Sequence, residues 1–303
     1  MNETRAAAER PWWRKILEFP LVAMVIAVVV LMASVGLATD LGRMAFPDMV
    51  PEQRVLVQNV AGVIAAILAY KLVIRHLGAR KHDDLPAKGL IKETAAGLGI
   101  GFVLFSLIVG IAALFGVYRI IGWGDTSYLL SAIILSALFP GVVEEILFRG
   151  ILFRWIEEFG GSWVALAVTS ALFGAAHLMN PNASAVAAIG IALEAGVMLG
   201  AAYMLTRRLW LAIGIHAAWN FTQGVVWDIP VSGTFVRGLV EAELSGPPLL
   251  SGGQFGLEAS VIAMVVALAF GGYLLWRAIR EGQLVQPMWV TKAQEVLSPP
   301  AAS

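Results

Sequence analysis

The sequence predicts an all-α, polytopic membrane protein: a bundle of about eight transmembrane helices. Three observations carry this. Of the 303 residues, 59% are hydrophobic. Only 14% are charged, whereas a soluble domain averages about 25%. The apolar residues also fall in runs close to the roughly 20 needed to cross a bilayer core as a helix.

Taken in order, spans are expected at 19–39, 54–74, 94–117, 127–156, 162–179, 184–206, 209–227 and 257–279. Residues 1–18 form a cytoplasmic amphipathic segment, in which Trp12 and Trp13 suit an interfacial anchor. Residues 19–281 make one transmembrane helical domain, with a core at 127–227. The first span is long enough to be an anchor rather than a cleaved signal. The fourth runs past Glu144 and Arg149 to Arg154 and Trp155, so a long, tilted helix is expected. Gly97-xxx-Gly101 and Gly196-xxx-Gly200 allow close helix approach. Asn180 and Pro181 end the fifth span. Residues 228–256, with Gly, Pro and acidic side chains, form the main outer loop, and 282–303 form a flexible tail. No internal repeat is evident.

Orientation follows from Lys and Arg in short loops. Arg5, Arg10, Arg14 and Lys15 precede the first span. Lys71, Arg75, Arg80, Lys81, Lys88 and Lys92 follow the second, and Arg207 and Arg208 follow the sixth. Arg277, Arg280 and Lys292 lie at the carboxyl end. The intervening loops hold few: Arg43, Arg54, Arg119 and Arg237. This alternation fits eight crossings of a cell membrane, with both termini cytoplasmic. The expected partners are membrane lipid and a peptide or protein. The net charge of zero gives no basis for nucleic-acid binding. The absence of cysteine excludes disulfides, thiolate metal sites and cysteine catalysis.

Two motifs carry no weight. Leu250-Ser251-Gly252-Gly253-Gln254 matches an ATPase signature, but no Gly-rich phosphate loop accompanies it. The glycosylation sequons at Asn182 and Asn220 fall in a short turn and inside a span.

The chemistry lies in polar islands within apolar helices. An ionisable group at a bilayer centre costs about 2.5–3.5 kcal/mol on insertion scales, so it faces the bundle interior and has a function or a partner. Glu145 and Arg149 are spaced i, i+4 with Glu first, the favoured order for an ion pair. Glu144, about 100° round the helix, is left without a partner and suits a general base. His177 follows, with Phe173 four residues earlier walling the same face. His216 and Asn220 share another helix face, and both can donate to a developing oxyanion. At 1.5 Å per residue, Glu144 and His177 lie roughly 20 Å deep but His216 only roughly 12 Å. Helix tilt or a buried turn must close that gap. Glu194 either lines the same cavity or pairs with Arg149 or Arg154, while His76 and His82 sit solvated in the basic loop.

Glu-Glu-x-x-x-Arg, then Phe-x-x-x-His, then His-x-x-x-Asn, on successive helices over about 144–220, resembles the CAAX protease and bacteriocin-processing family. That family includes type II CAAX prenyl endopeptidases and the prokaryotic abortive-infection proteins. The resemblance implies intramembrane proteolysis in a prokaryotic membrane. Glu144 and His177 would activate water, His216 and Asn220 would stabilise the oxyanion, and Glu145 and Arg149 would support them. It also implies, for the eukaryotic members, a prenylated carboxyl-terminal substrate. The reading favours no required cofactor. Zinc remains the alternative, with Glu144, His177 and His216 as ligands and water fourth. The competing functions are a proton- or cation-coupled transporter using Glu144, His177 and Glu194, and a catalytically silent immunity or scaffold protein.

Overall fold

In the computed structural model, residues 11–125, 127 and 129–291 are described. Arg5, Arg10, Lys292 and the tail from 292 lie outside them. The chain is helical almost throughout, with one two-stranded sheet. A short helix, α1 (Trp12–Glu18), ends where Phe19 turns extended before Pro20. Proline's fixed φ suits the first turn of the next helix. Then come α2 (Pro20–Ala45), α3 (Pro51–His76) and α4 (Leu90–Leu114). Strand β1 (Tyr118–Trp123) precedes the 51-residue α5 (Leu129–Met179). After α6 (Ala185–Thr206) and α7 (Trp210–Asn220) the chain forms β2 (Val240–Leu244), the short α8 (Pro248–Ser251) and α9 (Val261–Arg280).

Among the described residues, six helices are long and apolar enough to cross a membrane: α2, α3, α4, α5, α6 and α9. The expected number was eight, and two features account for the difference. The fourth and fifth expected spans are the two arms of α5, which breaks at Gly161, where φ is 83° and ψ 169°. A side chain is strained there, and Gly is the residue that adopts it freely. The arms pack on each other, with the Phe148 and Phe173 rings 4.8 Å apart. The seventh expected span is α7, whose 11 residues continue through a six-residue run of wide π-type turns, Phe221–Val226, and so stay short.

One end of the bundle gathers α1, residues 282–291 and the basic loops. Buried Arg154 reaches from α5 to Asp84 at 2.7 Å and to the carbonyls of His82 and Arg80. Tyr70 donates to the same carboxylate at 2.6 Å. Leu209 N–H donates to the Asp84 carbonyl, so α7 starts at the level of Arg154. Residues 282–291 are not a loose tail. Ser162 and Val285 exchange hydrogen bonds, and Pro287 lies against Gly161.

At the other end, β1 pairs antiparallel with β2, with an irregularity between Ile120 and Gly122. Asp228 organises this end by accepting the backbone N–H groups of Gly238 and Ala242. The outer loop expected at 228–256 therefore folds back onto the bundle.

Close packing sets the position of α7. A methyl group on Gly101 of α4 would lie 2.5 Å from the Ile215 carbonyl oxygen, and one on Gly97 would lie 2.6 Å from that of Leu211. From the facing side, a methyl on Gly214 would lie 2.5 Å from the Thr94 carbonyl oxygen. Gly196 and Gly200 likewise let α6 approach Ser170 and Leu166 in the second arm of α5. Both small-residue pairs in the sequence are contact points, as small residues in membrane bundles are.

Candidate active site

Three helical segments bring the polar islands together. Glu144, Glu145 and Arg149 lie in the first arm of α5, His177 at the end of its second arm, and His216 and Asn220 in α7. The first arm is not a regular α-helix. Pro140 lacks an N–H and crowds the carbonyl four residues earlier, and wide π-type turns occupy Ile133–Leu138 just before it. A second wide run, Ile146–Phe153, follows the Glu pair. Such turns concentrate at functional sites. They also help close the depth gap. Counted from the shared level at Asp84, Glu145 is nine residues beyond Arg154 and His216 seven beyond Leu209, and the two side chains meet.

That meeting is a buried network. Arg149 donates to Glu145 Oε1 at 2.8 Å, forming the i, i+4 pair. Its other amino group donates to the carbonyls of Ala195 at 2.9 Å and Gly196 at 3.2 Å, which ties α5 to α6. The guanidinium rests 4.8 Å from the centre of the Phe173 ring. His216 Nδ1 lies 2.8 Å from Glu145 Oε1. A carboxylate only accepts, so Nδ1 carries the proton. His216 Nε2 then faces Glu144, whose Oε2 is 4.0 Å away.

Glu144 has no hydrogen-bond partner for its buried Oε2. Its side chain is 33% exposed, against 0% for Glu145. His177 Nδ1 lies 2.7 Å from the Phe173 carbonyl. It must donate there, which leaves Nε2 free to accept. Phe173 packs between the two imidazoles, 4.8 Å from the His177 ring and 6.0 Å from that of His216.

Glu144, His177, His216 and Asn220 all line one cavity of about 610 Å³. Ser131, Ser136 and Pro140 of α5 form one wall, and Val231–Arg237 form another. Neither this second wall nor a place for Asn180 in the cavity follows from the sequence, where Asn180 only ends a helix. Asn180 lines the cavity and donates to the Ser232 carbonyl at 3.1 Å. Ser232 has φ 47°, a conformation rare for residues other than Gly, Asn and Asp. No local pattern signals such a wall, because bonds from Asn180 to Ser232 and from Gly233 N–H to the Phe255 carbonyl, between distant segments, hold it.

Glu194 pairs with neither arginine considered for it. Arg149 is committed to Glu145, and Arg154 to Asp84. Among the described residues, no group of three or more His, Asp or Glu side chains is placed to hold a metal ion. Glu144, His177 and His216 share a cavity without converging as a ligand set.

Residues 126–222 of the 303 match the family model described as Type II CAAX prenyl endopeptidase Rce1-like. The matched segment contains all three motifs and both arms of α5. No curated protein and no solved structure matches the chain.

Proposed function

We propose that this chain is a membrane-embedded endopeptidase that uses Glu144 as its base. One observation carries the reading: a partly exposed carboxylate, with a buried oxygen that accepts no hydrogen bond, opens onto a cavity that also holds two imidazoles and an amide. The family match supports it at the level of a protease.

In this reading a water molecule sits between Glu144 and His177 Nε2. Glu144 takes one of its protons as the oxygen attacks the scissile carbonyl carbon. The carbonyl oxygen becomes an oxyanion, held by the Asn220 amide and by His216 Nε2. Donation from Nε2 uses the doubly protonated ring, since Nδ1 is already spent on Glu145. Glu144 then passes its proton to the leaving amine, and the carbon–nitrogen bond breaks. Glu145 and Arg149 fix His216 and touch no substrate. No metal takes part. The chain crosses the membrane eight times with both termini cytoplasmic, and its substrate is a peptide near the membrane, with a prenylated carboxyl terminus as the first candidate.

The test is cleavage of a farnesylated CAAX peptide and an unprenylated control by purified protein in detergent. Wild type and Glu144→Gln are compared with and without a zinc chelator. Cleavage that needs Glu144 and survives chelation is expected. Loss on chelation would replace the metal-free mechanism with a metalloenzyme, and full activity in Glu144→Gln would remove Glu144 as the base.

A further inference from the structure

A second, small space of about 20 Å³ lies beside the large cavity. A single water needs roughly 10–15 Å³ by this measure. His177, His216, Asn220 and Ser232 line both spaces and so form the partition between them. Glu194 of α6 and Glu258, just before α9, line the small one. Both are buried, at 0% and 2% exposure.

Neither carboxylate forms an ion pair among the described residues, and His216, when protonated, is the cationic group that acts on Glu258. Glu194 Oε1, Glu194 Oε2 and Glu258 Oε1 are buried with no hydrogen-bond partner. The two groups repel each other when charged. A buried polar group without a partner costs on the order of 1–3 kcal/mol, and more when charged. Two carboxylates sharing so small a buried space do not both stay ionised. The walls are otherwise apolar, with Ile191, Met198 and Leu199 among them, and no Lys or Arg side chain lines the space.

We propose that Glu194 and Glu258 form a buried acid pair that holds one shared proton and one water molecule behind the partition. The shared proton joins an oxygen of Glu194 to Glu258 Oε1. The water donates to the remaining oxygen of Glu194. All three orphaned oxygens are then satisfied, and the net charge of the pair falls to minus one. Burial pushes the Glu258 carboxyl up to about 7, against the opposing pull of hydrogen bonds from Ser232 and Gln223. The water lies one side chain away from the large cavity, across His177, His216, Asn220 and Ser232. This placement holds whether or not the large cavity performs proteolysis.

Infrared difference spectroscopy on the purified full chain tests it, by the C=O stretch of a protonated carboxyl group. Wild type is expected to keep this band through neutral pH and in the presence of sodium or calcium chloride. Glu194→Gln and Glu258→Gln should each shift or remove it, and the double variant should lack it. The amide matches the carboxyl in shape and supplies a donor. The wild-type titration stands alone if a variant does not fold. A band that disappears across the ordinary carboxylate range near 4.3 would overturn the proposal. So would a band unmoved in both single variants. A band abolished by either salt would replace the proton with a bound cation.

Discussion

Two buried arginines on α5, only five residues apart, have different surroundings. Arg154 spends both amino groups on the Asp84 carboxylate and on the His82 and Arg80 carbonyls, and Tyr70 completes Asp84. Arg149 also has its acceptors. Yet its neighbourhood keeps Glu144 Oε2 and Glu145 Oε2 without partners. The first network leaves Arg154 Nε without an acceptor but no carboxylate oxygen of Asp84 unpartnered, and it ties a basic loop to the bundle. The second stays open toward a cavity. In an apolar bundle, incomplete pairing separates a site from a structural joint better than the mere presence of charge does.

The widest separation between the two regions should come from two single variants. Glu144→Gln is expected to cut hydrolysis about 10²–10⁴-fold, the usual contribution of a general base, with thermal unfolding in detergent unchanged. Arg154→Met should do the reverse. It strands Asp84 in the interior and costs about 3–5 kcal/mol of stability, part of which Asp84→Asn restores. If Glu144→Gln unfolds the protein, or Arg154→Met leaves its melting temperature intact, the contrast collapses. Asn220→Ala sharpens the open side: kcat should fall about 10²–10³-fold with little change in KM.

A packing variant bridges the two regions. The methyl group of Gly101→Ala would press on the Ile215 carbonyl and on Ala218, 2.5 and 2.9 Å away. A cost of about 1–3 kcal/mol is expected for such overpacking. Because α7 carries His216 and Asn220, activity should fall together with stability. Activity that survives the full stability loss would show that α4 does not set the site.

The smallest effect concerns pH. Glu258 is pushed up to about 7 from an ordinary 4.5. The folded state then holds this proton better than the unfolded state. The resulting stability is present below about 4.5 and is lost as pH rises through about 7. Wild type should therefore melt a few degrees lower at the top of that window than at the bottom, and Glu258→Gln should flatten the dependence. Equal slopes for the two proteins would remove Glu258 from the acid pair.

The comparison also explains what the sequence could reveal. The Glu145–Arg149 pair, the shared face of His216 and Asn220, and both small-residue contacts follow from helical periodicity, which is local. So does the break between the arms of α5, where Gly160-Gly161 interrupts the apolar run. The wall at Val231–Arg237 does not follow. It is held by Asn180, 52 residues from Ser232, and by the bond from Gly233 N–H to the Phe255 carbonyl, and nothing in a short window encodes that. Glu194 could be flagged as an intramembrane carboxylate, but its partner Glu258 fell at the edge of an expected span. Arg154 gave no hint of Asp84, because ion pairs between distant segments leave no spacing rule. The number of long apolar helices is smaller than the number of expected spans for a related reason: a tight reversal inside one helical run and a shortened α7 are matters of backbone geometry, not composition.

The reversal at Gly161 acts as a ruler. Glu144 lies 17 residues before it and His177 lies 16 after it. The two arms are nearly equal, so both side chains reach the same height, much as the tips of a folded strip meet when it is creased at its middle. Tilting the hairpin carries both tips together and leaves their relation intact. Adding one residue to a single arm would raise its tip by about 1.5 Å and turn it by about 100°. The register of the site is thus written at the far end of the molecule, in the lengths of two arms and one glycine.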